Sequence, residues 1–452
     1  MNTDQQPRLP QKSLPMRRVY VCHSPHENDS VYVENIAEYC ANVGIDFRSV
    51  EIGSDGSVLL DVLQDEPDSV IGFNSLLDHA WIRSDPFLTV ASNRRVPIIQ
   101  WILDHPSTHW LQFQHSTRTN SRYVFNSRHS EAYFRRFCLP NCVTSSVAGV
   151  GPNKRSRIAQ LQIKAFLDRE YSCLIPLNLT RIAGSTDQVE RRIDALAAKH
   201  RTAVLEAFML ARHDLMRPIE THLALVLNGL GISLTIAKFH SYMQMLEDKV
   251  QTYRRLYVFK VARKFPVLIQ SDPTAQPFAD GGVALFLENV AMKQTLARMP
   301  QAQAIVSVSH LNDMIHDRTL NGCNAGCVNI VEDSLAHRAF LKAGADALFF
   351  RYDDESLREC LALVCYKPKA VYAIAERGFA LRDEQPFRFG GYHNLVTSRD
   401  RALAQIAMVA KPAPGSVSEM MRVSKIVRSL PAGGRQGQRS TAIDCPGWEA
   451  SI

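Results

Sequence analysis

Three stretches of this chain hold side chains whose types and spacing can do chemistry. The first is Asp104-His105-Pro106-Ser107-Thr108-His109, directly after a strongly apolar run. The second, from Cys22 to Ser30, contains His23 and His26. The third holds His310, Asp313, Asp317 and Arg318, followed by Asn321, Gly326 and the pair Glu332-Asp333. An imidazole or carboxylate at a cleft, within hydrogen-bond reach of a hydroxyl, can act as a general base. Asp104, His105, His109 and His23 are candidates for that work. The plainer alternative is that Asp104 caps a turn before Pro106 and the histidines lie on the surface. Arg318 suits a different task. A guanidinium pairs with phosphate oxygens bidentately, and a helix N-terminus adds favourable partial charge. Its plainer alternative is a surface ion pair with Asp313 or Asp317.

The elements around these stretches alternate. Apolar runs at 304–308, 328–331 and 347–350 read as strands, with helices at 318–326 and 336–343, the second closed by Gly344. Strand and helix alternating at this spacing predict βαβ units in a parallel sheet. In such sheets ligands lie beyond the carboxyl ends of the strands, which is where 310–318 and 332–334 fall. The N-terminal part repeats the pattern. Strands are expected at 17–22, 45–50, 69–73, 96–103, 123–125 and 142–147, with helices at 31–43, 57–64, 87–92 and 130–137. No Gly-x-Gly-x-x-Gly follows the first strand, which argues against a standard nicotinamide or flavin site. Asn74–His79 is a third polar loop at a strand end, and Ser127 or Ser130 can cap the helix after 126.

A strand at 171–177 opens the second half. Helical segments follow at 188–199, 202–212, 218–227 and 232–255, more than one crossover needs. The reading is an elaborated crossover packed on the sheet; the alternative is a platform for a partner or acceptor. Tyr257–Val261 and Pro266–Gln270 are taken as the next elements, then a helix at 288–298. Helices are expected at 355–365, 367–379 and 395–410.

The pattern Asp317-Arg318-x-x-Asn321-x-x-x-x-Gly326, an apolar strand, Glu332-Asp333, then Phe340…Gly344 and another apolar strand resembles the donor-nucleotide half of bacterial GT-B glycosyltransferases. It is most similar to their spore-maturation-type (CgeB-like) group, whose members tend to read Arg-x-x-Glu-x-x-x-x-Gly here. The resemblance is densest over 260–360. It implies an α/β fold of two Rossmann-like halves facing a cleft, with a helical elaboration in the second half at about 186–256. It also implies sugar transfer from a nucleotide-sugar to an acceptor. Arg318 would hold the diphosphate. Asn321 stands where relatives often carry a ribose-binding Glu. Asp313 stands where the first Glu of a Glu-x₇-Glu pair would fall, and Glu332, Asp333 and His310 would border the donor. Gly326 would end the helix. Two departures from the pattern, Asn321 and the lack of a Gly beside Asp272, leave room for a binding or scaffold protein without catalysis. A two-domain small-ligand sensor is the other alternative.

Composition bounds the rest. A chain of 452 residues fits two domains. The expected division is a leader over 1–16, an acceptor-side domain over 17–152, a connector over 153–170, a donor domain over 171–410 and a tail over 411–452. No run of about 18 apolar residues suggests a membrane span. The N-terminus lacks the apolar core of a secretory signal, and a cytoplasmic protein is expected. Ten cysteines show no zinc-site spacing, so reduced thiols and no metal are expected. The net charge of +7 comes without a dense basic block, which argues against nucleic acid. Expected partners are the nucleotide-sugar and a glycan, lipid-linked, protein or small-molecule acceptor, with peripheral membrane contact as a further option. No cofactor is expected.

Overall fold

The structure, a computed structural model, describes residues 18–382 and 395, apart from 26, 54–55, 83–84, 114–120, 140–141, 147–158, 178–187, 274–275, 277–280, 289–291, 310–311 and 354. The expected leader, the helix at 395–410 (save residue 395), the tail, and the site candidates His26 and His310 lie outside these residues.

Among the described residues two parallel six-stranded sheets organise the chain, beside a small antiparallel pair, Trp81–Ile82 with Asp85–Pro86. The first contains β1 (Arg18–His23), β2 (Asp46–Glu51), β3 (Ser69–Phe73), β4 (Ile98–Ile102), β5 (Ser121–Phe125) and β6 (Val143–Ser146), in the order β2-β1-β3-β4-β5-β6. The second contains β7 (Tyr171–Pro176), β8 (Leu268–Ser271), β9 (Leu285–Glu288), β10 (Ala302–Ser307), β11 (Val328–Glu332) and β12 (Leu348–Phe350), in the order β9-β8-β7-β10-β11-β12. Every residue of β3, β4, β5, β8, β10 and β11 is buried. Their near-continuous apolar sequences follow from burial on both faces. In each sheet the order reverses beside the first strand, between β1 and β3 and between β7 and β10. Ligands of such sheets bind at these reversals, beyond the strands' carboxyl ends. The fold class is therefore α/β, with two Rossmann-like halves across a cleft and a helical elaboration in the second.

The first helix, α1 (Glu27–Val43), follows β1. A short helix, α2 (Arg128–Tyr133), follows β5. Its Ser127 cap accepts a hydrogen bond from Ser130 N at 2.9 Å. The elaboration is α3 (Ala198–Ala211), α4 (Ile219–Gly229) and α5 (Ile236–Ala262). Two expectations are corrected here. Residues 257–261 do not start a new element; they finish α5, because no Gly or Pro interrupts the chain before Pro266. Nor is the block simply packed on its own sheet. At 27 residues α5 is about 40 Å long, enough to touch both halves. Its C-terminal part, Val258 to Ala262, joins the second sheet's core. Its N-terminal part, Phe239 to Val250, forms a separate core with α3, α4 and Tyr133 of the first half. His240 of α5 stacks on Trp110, with ring centres 4.7 Å apart, and lies 2.8 Å from the Tyr133 hydroxyl. Gln244 Nε2 donates to Ser107 O at 2.8 Å. The helix is a strut between the halves.

In the second half, α6 (Met292–Arg298) reaches α1 through Lys293 and Glu34, 2.7 Å apart. Beyond β10 stands α7 (Asp317–Ala325). Gly322 lets it lie close on the sheet: a Cβ there would collide with Asn329 Oδ1 and lie 2.8 Å from Ile305 Cγ2. The helix ends at Gly326, whose φ of +68° suits glycine. After β11 comes α8 (Leu335–Phe340), which stops before the expected 343 because Leu341 is already extended.

Candidate functional site

The loop after β10 delivers side chains to two places. Asn312 is buried and fully bonded. Its amide donates to Asp214 O at 3.1 Å and Arg217 O at 2.6 Å, and its oxygen accepts from Arg254 Nη1 at 2.9 Å. Arg254, buried on α5, also donates to Ala211 O and Asp214 O. This lattice sets the next residue. Asp313 crosses to the first half, where it accepts from Ser127 Oγ, from His129 N at 2.9 Å, and pairs with the His129 ring at 3.6 Å. A carboxylate at the start of α2 satisfies donors left free by the helix.

Arg318 lies at the other end of the same loop, in the first turn of α7. His316 caps that helix by accepting from Arg318 N at 3.2 Å, and Asp317 accepts from the same N–H at 2.8 Å. Asp317 is pulled down to about 2: burial opposes this, but His316 and Arg318 favour the carboxylate more strongly. Among the described residues the Arg318 guanidinium makes no hydrogen bond or ion pair. Burial depresses its pKa, against attraction from Asp317 and from Tyr32 of α1. A partly buried cation between the halves is thus left without a bonded counterpart.

The remaining donor-side candidates are engaged. Asn321 is buried, and its Nδ2 donates to Asp317 O at 2.9 Å. Gly326 lies at the far end of α7, against Leu161 and Arg169. Glu332, buried and raised in pKa by desolvation, accepts from Ser309 N at 2.7 Å and from the Tyr352 hydroxyl. It anchors the start of the site loop. Asp333 is neutralised by Arg338 and by Arg351, the latter at 2.8 Å.

On the first half, the four candidates for a base separate. His23 Nδ1 lies 2.9 Å from Ser24 O at the end of β1. Asp104 follows β4, two strands or about 10 Å across the sheet. Asn74 Nδ2 donates to it at 3.2 Å, and His109 Nε2 lies 3.6 Å away. Asn74 and Ser75 have φ of +42° and +61°, a strained turn held in place as Asn74 Oδ1 accepts from Leu103 N at 2.8 Å. His105 turns the other way, towards the strut. Its Nδ1 lies 2.8 Å from Ser107 Oγ and 3.5 Å from Glu247 Oε2, and its Nε2 lies 4.0 Å from Glu220 Oε2.

His105 and Asp313 line one pocket, with His129, Ser130, Pro218, Ile219, Met243, Glu247 and Asn312. The pocket joins the first half, the helical block and the loop after β10. Burial pushes Glu220 and Glu247 up to about 8. Neither glutamate, nor His129 or Asn312, was a candidate from the sequence. Glu247 left a signal, since it lies on the apolar face of α5 beside Met243, Leu246 and Val250. Glu220 reads as an ordinary first-turn acid. Among the described residues no cluster of three His, Cys, Asp or Glu has metal-holding geometry, and no helix is long and apolar enough to cross a membrane.

No family model matches the sequence, and no curated protein does. Solved structures resemble the chain in outline. Anabaena Alr3699/HepE in complex with UDP is 8% identical, covers 86% of this chain and 100% of its own, with a TM-score of 0.45. Sucrose-phosphate synthase from Thermosynechococcus elongatus is 10% identical, with 87% and 100% covered and a TM-score of 0.48. WaaG, a glycosyltransferase involved in lipopolysaccharide biosynthesis, is 12% identical, with 85% and 99% covered and a TM-score of 0.43. At these scores the likeness decides nothing about the site.

Proposed function

We propose that the chain is a glycosyltransferase that moves a sugar from a nucleoside-diphosphate donor to an acceptor hydroxyl. The observation that carries this reading is Arg318. It stands at the N-terminus of a helix beyond the carboxyl end of β10, beside the strand-order reversal, and its guanidinium is unbonded among the described residues. That is the charge and place a diphosphate requires. As the bond from sugar to diphosphate breaks, negative charge grows on the leaving phosphate. A preorganised guanidinium and helix dipole stabilise it without reorganisation. In this reading they do the work of a divalent cation, and transfer is metal-independent.

The acceptor oxygen forms the new bond to the sugar carbon, and its proton goes to a base on the first half. Of the sequence candidates, His105 lines the pocket between the parts, so it is assigned that role. Asp104 is held by Asn74 at the neighbouring strand ends, and His23 is farther off. The acceptor is a glycan, lipid-linked, protein or small-molecule hydroxyl.

The test is calorimetric titration of the full chain with UDP, GDP, TDP and their sugars, repeated on Arg318→Ala. One diphosphate should bind, and the substitution should weaken it at least tenfold, about 1.4 kcal/mol. Absence of binding by every diphosphate would sink the reading. Diphosphate binding without sugar transfer or donor hydrolysis would favour a non-catalytic binding protein. Activity that survives EDTA would support metal independence.

A further inference from the structure

One carboxylate at the edge of the second sheet gathers two arginines. Asp333 directly follows β11, and only 10% of its side chain is exposed. Arg338 of α8 grips it side-on: Nε donates to Oδ1, and Nη2 donates to Oδ2 at 2.8 Å. Arg351, which directly follows β12, donates from Nε to Oδ2 at 2.8 Å. Both carboxylate oxygens are thus engaged. The arginine side chains are 49% and 64% exposed, so the face shown to water is cationic. Among the described residues Arg338 Nη1 and both Nη nitrogens of Arg351 donate to nothing. Asp353 also attracts Arg351, but from beyond ion-pair distance. Its Oδ1 accepts from Ser356 N at 2.8 Å, at the start of the helix over Ser356–Tyr366.

An ordinary exposed ion pair needs one arginine and contributes little. Here a second guanidinium is brought beside the first, which repels it, and one carboxylate cancels only one of the two charges. The backbone beneath is fixed. Asp333 N donates to Phe350 O at 2.8 Å. Ser356 Oγ accepts from Arg351 N at 2.8 Å and donates to Arg351 O at 3.1 Å. Donors ordered in advance bind an anion without the entropy cost of immobilising two long side chains. The place is also that of a ligand, at the carboxyl ends of parallel strands. Val331 and Phe349, two residues before Asp333 and Arg351, pack in one cluster with Ile315 and Leu320. Side chains alternate along a strand, so Asp333 and Arg351 take the sheet face that α7 covers. Adjacent strands are about 5 Å apart, which sets the arginine pair on the order of 10 Å from the Arg318 end of the cleft.

We infer that Arg338 and Arg351 form a subsite for a carboxylate, oriented by Asp333, and that a sugar handled here is a hexuronate. The open Nη fork of Arg351 matches the two oxygens of a carboxylate, and Arg338 Nη1 adds a third donor. The surplus is one positive charge, which a carboxylate balances; a phosphate monoester brings nearly two negative charges. That the carboxylate belongs to a sugar rests on the glycosyltransferase reading; the preference for an anion at this pair does not.

The test is calorimetry on the full chain in two arms. The donor arm compares UDP-glucuronate with UDP-glucose, and GDP-mannuronate with GDP-mannose. The acceptor arm compares free glucuronate with glucose, with and without UDP. In one arm the acidic sugar should bind at least tenfold more tightly than its neutral counterpart, and that arm tells which substrate carries the carboxylate. Arg351→Gln should cut the preference at least fivefold, with Arg338→Gln as a second variant if the first fails to fold by circular dichroism. Arg351→Lys keeps the charge but loses the fork, and should cut it at least threefold. Equal binding in both arms, a preference that survives both glutamine substitutions, or a full preference in Arg351→Lys overturns the inference. UDP and GDP alone report on Arg318. If either binds and no acidic sugar is preferred, the subsite falls and the donor reading stands. If neither binds while free glucuronate is preferred through Arg351, the donor reading falls and the anion subsite stands.

Discussion

Asp313 and Arg318 lie five residues apart on one loop, yet they meet opposite circumstances. Asp313 is fully bonded, across the cleft, to Ser127, His129 N and the His129 ring. Arg318 is half-buried and makes no such bond among the described residues. The difference separates holding from binding. A carboxylate that already satisfies the first turn of α2 joins the halves and has little left for a ligand. A guanidinium kept from water without a partner gains when an anion arrives. The same contrast divides the carboxylates: Asp313 and Asp317 are paired, whereas Glu220 and Glu247 share one imidazole.

The largest effect should come from the element that carries the Arg318 end. Gly322→Ala places a methyl against Asn329 and Ile305 in the sheet. It should destabilise the chain by about 3 kcal/mol, read from the urea midpoint. A loss under about 0.5 kcal/mol would show that α7 shifts freely and that Arg318 is not rigidly placed.

The next pair of variants tests the comparison itself. Asp313→Asn removes a charge that accepts hydrogen bonds at a helix start, and should cost about 2 kcal/mol of stability. It should leave diphosphate affinity within about threefold, on the order of 0.7 kcal/mol. Arg318→Ala should do the opposite, keeping or raising the melting temperature while diphosphate binding falls. If Asp313→Asn abolishes diphosphate binding at unchanged stability, the division between holding and binding is wrong.

The acids give a pH signature. Folded Glu220 and Glu247 titrate near 8, above the ordinary 4.5. Between those values the folded chain holds protons that the unfolded chain has released. Stability from these groups is thus complete below about 4.5 and is lost as pH rises towards 8. His240 and His337 act on the acid side: burial lowers both to about 4, so stability is lost as pH falls from 6.5 towards 4. The Glu220→Gln, Glu247→Gln double variant should match wild type near pH 5 and melt several degrees higher at pH 9. Equal melting at pH 9 would mean that the glutamates are ionised and compensated.

Much of this was legible in the sequence. The run 69–73 is a strand with those same limits, since a short apolar segment between turn residues has one place in a parallel sheet. Helix α7 was visible between Asp317 and Gly326 because capping and glycine are local signals. What covers an apolar face is not local. The periodicity of 232–255 gave a helix but not its far wall, the first half's Tyr133 and Trp110. Tyr257-Val258-Phe259 looks strand-like by composition, yet nothing broke the helix before Pro266. Glu247 was legible only as an acid inside an apolar stripe, a sign that needs its neighbours before it means a site. The pairing of Asp313 with the start of α2 joins residues over 180 apart, and no spacing reveals it.

The smallest effect should come from the other bridge between the halves. Lys293 and Glu34 are 2.7 Å apart, with both side chains 48% exposed. Such pairs contribute about 0–1 kcal/mol, because water screens the attraction and two long side chains must be ordered. Lys293→Ala should therefore change stability by less than about 0.5 kcal/mol, and any effect should vanish in 0.5 M salt, where screening acts within about 5 Å. Asp313→Asn, whose bonds are largely shielded from water, should keep most of its cost in the same salt. If Lys293→Ala proved as costly as Asp313→Asn, the halves would be held at their rim rather than through the loop after β10. The strut and the Asp313 cap would then be consequences of closure instead of its cause.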